Sequence, residues 1–140
     1  MTKPILLSID LSAPSSWQHA LPVALGMCHD APLHVITVVP NFGMSIVGGF
    51  FDEGFAARAL HEVGAAMNKW VNDNVPDEAD VHPHVTHGRV YEEILRAADR
   101  LEVGTIVLGS HTPELTDYLL GPNAARVVRH ARQSVYVVRG

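Results

Sequence analysis

The residues best suited to chemistry in this sequence form the run Gly109-Ser110-His111-Thr112-Pro113-Glu114 and, a short way on, Gly121-Pro122-Asn123. A glycine at a strand's end lets backbone approach a ligand closely, and a second glycine just ahead of a helix opens that helix's free amides to an anion. The chemistry this predicts is the cradling of a phosphate. The hydroxyls of Ser110 and Thr112 and the amides of Asn123 would add to it. As bare spacing the signal is weak, because two glycines around a loop occur in many α/β domains. Lys3 and Lys69 are the only lysines, and neither lies in this loop, which excludes the P-loop arrangement of nucleotide hydrolases. Pro122 removes both a hydroxyl and a backbone amide from reach of a phosphate, yet it suits the first position of a helix.

Other combinations are weaker. His111 beside Ser110 suggests a nucleophile pair, but adjacent residues rarely point at one another, and a triad is recognised by geometry. His82, His84 and His87 invite a metal-site reading, the first two sharing one face of a strand, yet no carboxylate or cysteine is fixed beside them. A half-exposed strand carrying imidazoles accounts for them. Glu92-Glu93 opens a helix, where negative charge complements the macrodipole. No catalytic residue and no metal ligand is assigned.

The elements that must position the glycine loops alternate. Ile5 to Ile9 is a short, nearly continuous apolar run of the kind found in strands covered on both faces, and it ends at Asp10. Trp17, Ala20, Leu21, Ala24, Leu25 and Cys28 then recur at helical spacing, with Pro22 requiring a late start or a kink. Leu33 to Val39 reads as a second strand closed by Pro40. Phe55, Ala59, Val63, Ala66, Met67 and Trp70 mark the apolar face of a long helix over 54–74. A third strand over about 79–87 precedes Gly88 and a helix with Ile94, Leu95, Ala98 and Leu101 inward. Thr105 to Leu108 is a fourth strand ending at Gly109; Ala124, Val127, Val128 and Ala131 mark a fourth helix, and Ser134 to Val138 a fifth strand. Right-handed crossovers make such a chain an open, doubly wound parallel sheet with helices on both faces and a ligand crevice beyond the strands' carboxyl ends. The connection 41–54 is long, and its glycines alternate with Phe42, Met44, Ile46, Val47, Phe50 and Phe51. It is a lid, a docking segment, or a loop folded on its own helix.

With 140 residues, 47% hydrophobic and 18% charged, one globular α/β domain over 1–140 is expected. No apolar run approaches the roughly 20 residues of a membrane span. A net charge of −5 argues against nucleic acid as a partner. Without a secretory cleavage site after the first apolar run, the expected location is the cytoplasm. Cys28 is the single cysteine, so no intrachain disulfide framework can form.

Ile5 to Ser12, the strand Leu33 to Pro40, Gly88 ahead of Tyr91-Glu92-Glu93-Ile94, and Gly109 to Arg139 together resemble the universal stress proteins. The likeness spans nearly the whole chain. It is closest to short bacterial members with a Ser-His-x-Pro loop and a Tyr-Leu-Leu-Gly, Asn-Ala-Ala, Val-Val-Arg-His-Ala tail. The resemblance implies an open five-stranded parallel sheet in the order 3-2-1-4-5, a dimer through the last strand (Val135, Tyr136, Val137 and Val138) or a tetramer, and bound ATP with magnesium. It also implies that Asp10 contacts the nucleoside and the backbone of Val38 the adenine. Gly109 and Gly121 match the first and third glycines of the family's phosphate loop. Thr112 stands where the second glycine belongs, the following gap is one residue shorter, and Pro122 replaces a Ser or Thr. The expected nucleotide contacts are thus Ile9, Asp10, Val38, Gly109, Ser110, His111, Thr112, Leu120, Gly121, Pro122 and Asn123. A stress-response protein switched or assembled by ATP is the expected function; a ligand-free adaptor and a slow ATPase are the alternatives.

Overall fold

Alternate residues of the first strand face opposite ways, and both faces must be covered because both are apolar. The computed structural model describes residues 2–40, 53–110 and 121–139. Within them β1 (Ile5–Ser8) is followed by a 3-10 turn (Pro14–Ser16), α1 (Ala20–Met27), β2 (Leu33–Pro40) and α2 (Glu53–Asn74). Then come β3 (Val81–Gly88), α3 (Val90–Arg100), β4 (Thr105–Gly109), α4 (Pro122–His130) and β5 (Ser134–Val138). The five strands form one parallel sheet in the order β3-β2-β1-β4-β5. The expected order is therefore observed. The segment 41–52, with its apolar and glycine residues, and the loop containing His111, Thr112, Tyr118 and Leu120 lie outside the described residues.

Ile5, Leu7 and Ile9 pack with Leu33, Val35, Ala24, Met67 and Trp70 on the side covered by α1 and α2. Leu6 and Ile36 pack with Ile94, Ala97, Ala98 and Val127 on the side covered by α3 and α4. Trp17 meets Trp70 edge to face, with ring centroids 5.6 Å apart, and so joins the entrance of α1 to α2. Pro22 sits in the first turn of α1, which is the late start its missing N–H requires.

Two apolar positions depart from expectation. Ala66 is exposed, because the buried stripe of α2 runs through Met67 and Trp70. Val128 is 45% exposed, since α4 turns only Val127 fully inward. Gly88 has φ +149, a conformation that side-chain-bearing residues rarely adopt, and a Cβ there would meet Glu93 Cγ at 3.0 Å. That glycine lets β3 turn into α3.

Candidate functional site

Strand β1 stops short, and the stop makes the site. Its pairing with β2 ends at Ser8–Ile36, whereas β2 continues beside β3 to Pro40–Gly88. The Ile9 N–H donates to the Ile36 carbonyl at 3.0 Å, so the backbone groups of Ile36 face β1. Two residues on, the N–H and C=O of Val38 face the same edge, where β1 no longer runs. A cavity of about 440 Å³ opens there, at the carboxyl ends of β1, β2 and β4. This is also where the sheet order reverses, the place where open α/β sheets take ligands.

The loop after β1 is drawn tight around its own polar groups. Asp10 Oδ1 accepts from the Ser12 amide at 3.0 Å and from the Ser12 hydroxyl at 2.7 Å. Ser16 Oγ accepts from the Asp10 N–H at 2.8 Å and donates to the Asp10 carbonyl at 3.1 Å. The carboxylate is exposed, and among the described residues nothing donates to Oδ2, which stays open to a ligand hydroxyl or amine. Thr37 is buried and donates its hydroxyl to the Ile9 carbonyl at 3.1 Å, closing the floor between β1 and β2.

Gly109 forms the opposite wall, and its neighbour is protein. A Cβ at this position would stand 2.7 Å from the Ser16 carbonyl oxygen and 3.2 Å from its carbon. The glycine is needed so that the 3-10 turn can lie against the end of β4, which in turn holds Ser16 beneath Asp10. Ser110 follows in the wall behind, 8% exposed, its N–H donating to the Val138 carbonyl at 3.0 Å.

Helix α4 closes the far side. Gly121 is its N-cap with extended backbone and no side-chain cap, and Pro122 begins the helix. The Ala125 N–H donates to the Gly121 carbonyl at 2.9 Å and is the first turn's intrahelical bond. Pro122 has no N–H, so the amides of Asn123 and Ala124 are those the helix leaves open, and both residues line the cavity. Val90 and Ile94 of α3 and Leu108 of β4 supply an apolar wall. No Lys, Arg or His side chain lines the cavity among the described residues. Among the described lining residues the Asp10 carboxylate is the only formal charge.

Of the expected contact residues, the structure brings Ile9, Asp10, Val38, Gly109 and Asn123 together at this cavity. Gly121 and Pro122 stand at the adjoining helix start, Ser110 lies behind the wall, and His111, Thr112 and Leu120 are outside the described residues. The backbone of Ile9 is spent on Ile36 and Thr37, which leaves that residue only van der Waals contact to offer. Sequence reasoning missed Thr37, Ser12, Ser16, Val90 and Ile94 as lining residues. A hydroxyl inside the apolar run Val35 to Val39 is the signal that points to Thr37. Ser12 and Ser16 arrive through the turn after β1, and Val90 and Ile94 only through the crossover that places α3.

The profile of the universal stress protein family matches residues 1–139. Universal stress protein G of Shigella flexneri is 30% identical over 112 residues, 79% of each chain. Universal stress protein UspA from Lactobacillus plantarum superposes with a TM-score of 0.71 at 22% identity, covering 98% of this chain and 97% of that one. A universal stress protein from Archaeoglobus fulgidus solved in complex with dAMP superposes with a TM-score of 0.62 at 18% identity, covering 96% of each chain.

Proposed function

The chain belongs to the universal stress protein family, and on that premise we propose that its crevice binds an adenine nucleotide, ATP with magnesium, and that occupancy switches assembly in a cytoplasmic stress response. The observation that carries this reading is the meeting of three groups at one cavity: the Asp10 carboxylate, the unpaired backbone edge at Val38, and the open amides of α4. The volume of about 440 Å³ falls in the roughly 300–1,000 Å³ range of small-molecule sites. An adenine ring takes one donor and one acceptor from the Val38 backbone edge, between the apolar side chains of Ile9, Val90 and Ile94. A ribose hydroxyl donates to Asp10 Oδ2. The dAMP carried by the Archaeoglobus fulgidus relative fits the same chemistry.

The two ends of the site differ in strength. The nucleoside end offers a carboxylate, a strand edge and apolar walls. Among the described residues the phosphate end offers amides and the positive end of a helix dipole without a cation. Adenosine and AMP should therefore bind with affinities closer to each other than in a site built on arginine or lysine. A magnesium ion would neutralise the phosphates of ATP in that setting. No residue of the described cavity is placed as a base, which favours binding over hydrolysis.

Dimerisation through β5 is part of the same proposal. Among the described residues that strand pairs with β4 alone, leaving its outer edge unpaired, and Tyr136 on it is 50% exposed. An unpaired strand edge with apolar side chains is a template for a second copy. Calorimetric titration of AMP, ATP and adenosine into the wild-type protein and Asp10→Ala tests the site. All three should weaken in the variant if Asp10 holds the ribose; unchanged affinities in a folded variant would reject the assignment. A ligand-free adaptor is what remains if none binds the wild type.

A further inference from the structure

Towards the amino ends of β2 and β3, away from the crevice, three imidazoles from two strands share one face. His34 on β2 pairs in register with His82 on β3, and His84 lies two residues further along β3. His34 Nδ1 and His84 Nε2 are 2.8 Å apart, so the N–H of one ring donates to the bare nitrogen of the other. Among the described residues this is the only hydrogen bond between side chains of two different strands. The groups that act on the pair lie on β3, just before it, or on α3, the helix packed over this face. The His82 ring is 5.3 Å from that of His34, centroid to centroid, with its Nε2 2.8 Å from Asp80 Oδ1. Arg100 of α3 bears on His84, and Asp80 is the one anion of the set.

Such a pair tolerates one added proton and not two. The first adds to a ring nitrogen outside the bond, and the imidazolium so formed still donates to its neutral neighbour. A second turns both facing nitrogens into N–H groups, which removes the acceptor and sets two like charges side by side. We propose that His34 and His84 form an acid-released latch: their bond fastens edge strand β3 to β2, and double protonation lets β3 open while the rest of the sheet holds. The repulsion is relieved at β3 because that strand is the weaker partner. Among the described residues it pairs with β2 alone, whereas β2 is paired to β1 as well. Gly88 is its only buried residue, and Pro83, between the two histidines, has no N–H for a ladder. In β2, by contrast, Leu33, Val35, Ile36 and Thr37 are buried. The surroundings resist protonation in the closed state. Burial first, then His82, lowers the titration of His34 against the pull of Asp80; burial, His34, Arg100 and His82 lower that of His84.

Hydrogen exchange of the full chain at pH 7 and pH 5, corrected for the intrinsic rate at each pH, tests this. Below the ordinary imidazole value of 6.5, each proton taken up on opening raises the open population by up to about tenfold per pH unit. The β3 amides should therefore open at least about tenfold more often at pH 5 than at pH 7, and at pH 5 more readily than those of β1 and β4. The double variant His34→Gln with His84→Gln should lose most of the acceleration, while His29→Gln, an exposed histidine elsewhere, should keep it. A single opening free energy shared by all five strands at pH 5, or an acceleration that survives the double variant, would overturn the proposal. Imidazole NMR of the wild type decides the matter even if the variant fails to fold. His34 and His84 should titrate there as one coupled pair below 6.5, and two independent titrations at that value would overturn the latch.

Discussion

Replacing Gly109 by alanine adds one methyl group where the Ser16 backbone already stands. The new Cβ would be 2.7 Å from that carbonyl oxygen, about 0.7 Å inside the 3.4 Å at which ordinary contact begins. A flexible side chain would rotate away, but here the obstacle is main chain, so either β4 or the 3-10 turn must move. Overpacking of this kind costs about 1–3 kcal/mol. With a urea slope of about 2 kcal/mol per molar, the midpoint should fall by roughly 0.5–1.5 M. The same movement lifts Ser16 from the Asp10 N–H, 2.8 Å away, and loosens the carboxylate's support. Gly109→Ala should therefore lose both stability and adenine-nucleotide affinity, measured by urea unfolding and by calorimetry with AMP. A variant within about 0.5 kcal/mol of wild type with unaltered affinity would refute the reasoning, because the turn would then not depend on the absence of a side chain.

Gly121→Asp places a carboxylate at the N-cap of α4, so the helix should gain a few tenths of a kcal/mol while ATP binds more weakly and adenosine is unaffected. Urea unfolding and paired titrations read the two effects; equal weakening of both ligands would reject phosphate placement at this helix. Thr37→Val keeps the shape and removes the hydroxyl that Ile9 accepts from, and should cost about 1–2 kcal/mol in unfolding free energy. The lowered titration of His34 and His84, set first by burial, means the folded chain binds fewer protons there than the unfolded chain. Their contribution to stability is full above the unfolded pKa of 6.5 and is lost as pH falls through that value and the lower folded ones. Unfolding at a series of pH values in a chelator should show that decline, and His34→Gln with His84→Gln should flatten it.

The alternation of strands and helices was legible because each strand is a short apolar run and each helix carries a stripe, two periods that do not mimic one another. Where the stripe lies on a helix was less so: alanine at 66 and valine at 128 suit a buried or a half-covered position equally, and only the neighbouring elements decide. Asp10, Gly109 and Asn123 could be read as candidate site residues because strand ends and helix starts are visible in sequence, whereas Val38 came from the family resemblance alone. Ser16 could not, since its function depends on a turn folding back under Asp10 against a glycine some ninety residues away. At Gly109 the sequence suggests one reason for the glycine and the structure supplies another. It was expected to admit a ligand, and its structural necessity is to admit the Ser16 carbonyl.

Native mass spectrometry of the freshly purified protein, with denaturation to release and identify any small molecule, tests the central claim most directly. The account predicts an adenine nucleotide at close to one per chain, on a complex whose mass is a multiple of two subunits. A folded protein that carries no nucleotide and shows no heat of binding with AMP, ATP or adenosine would contradict it.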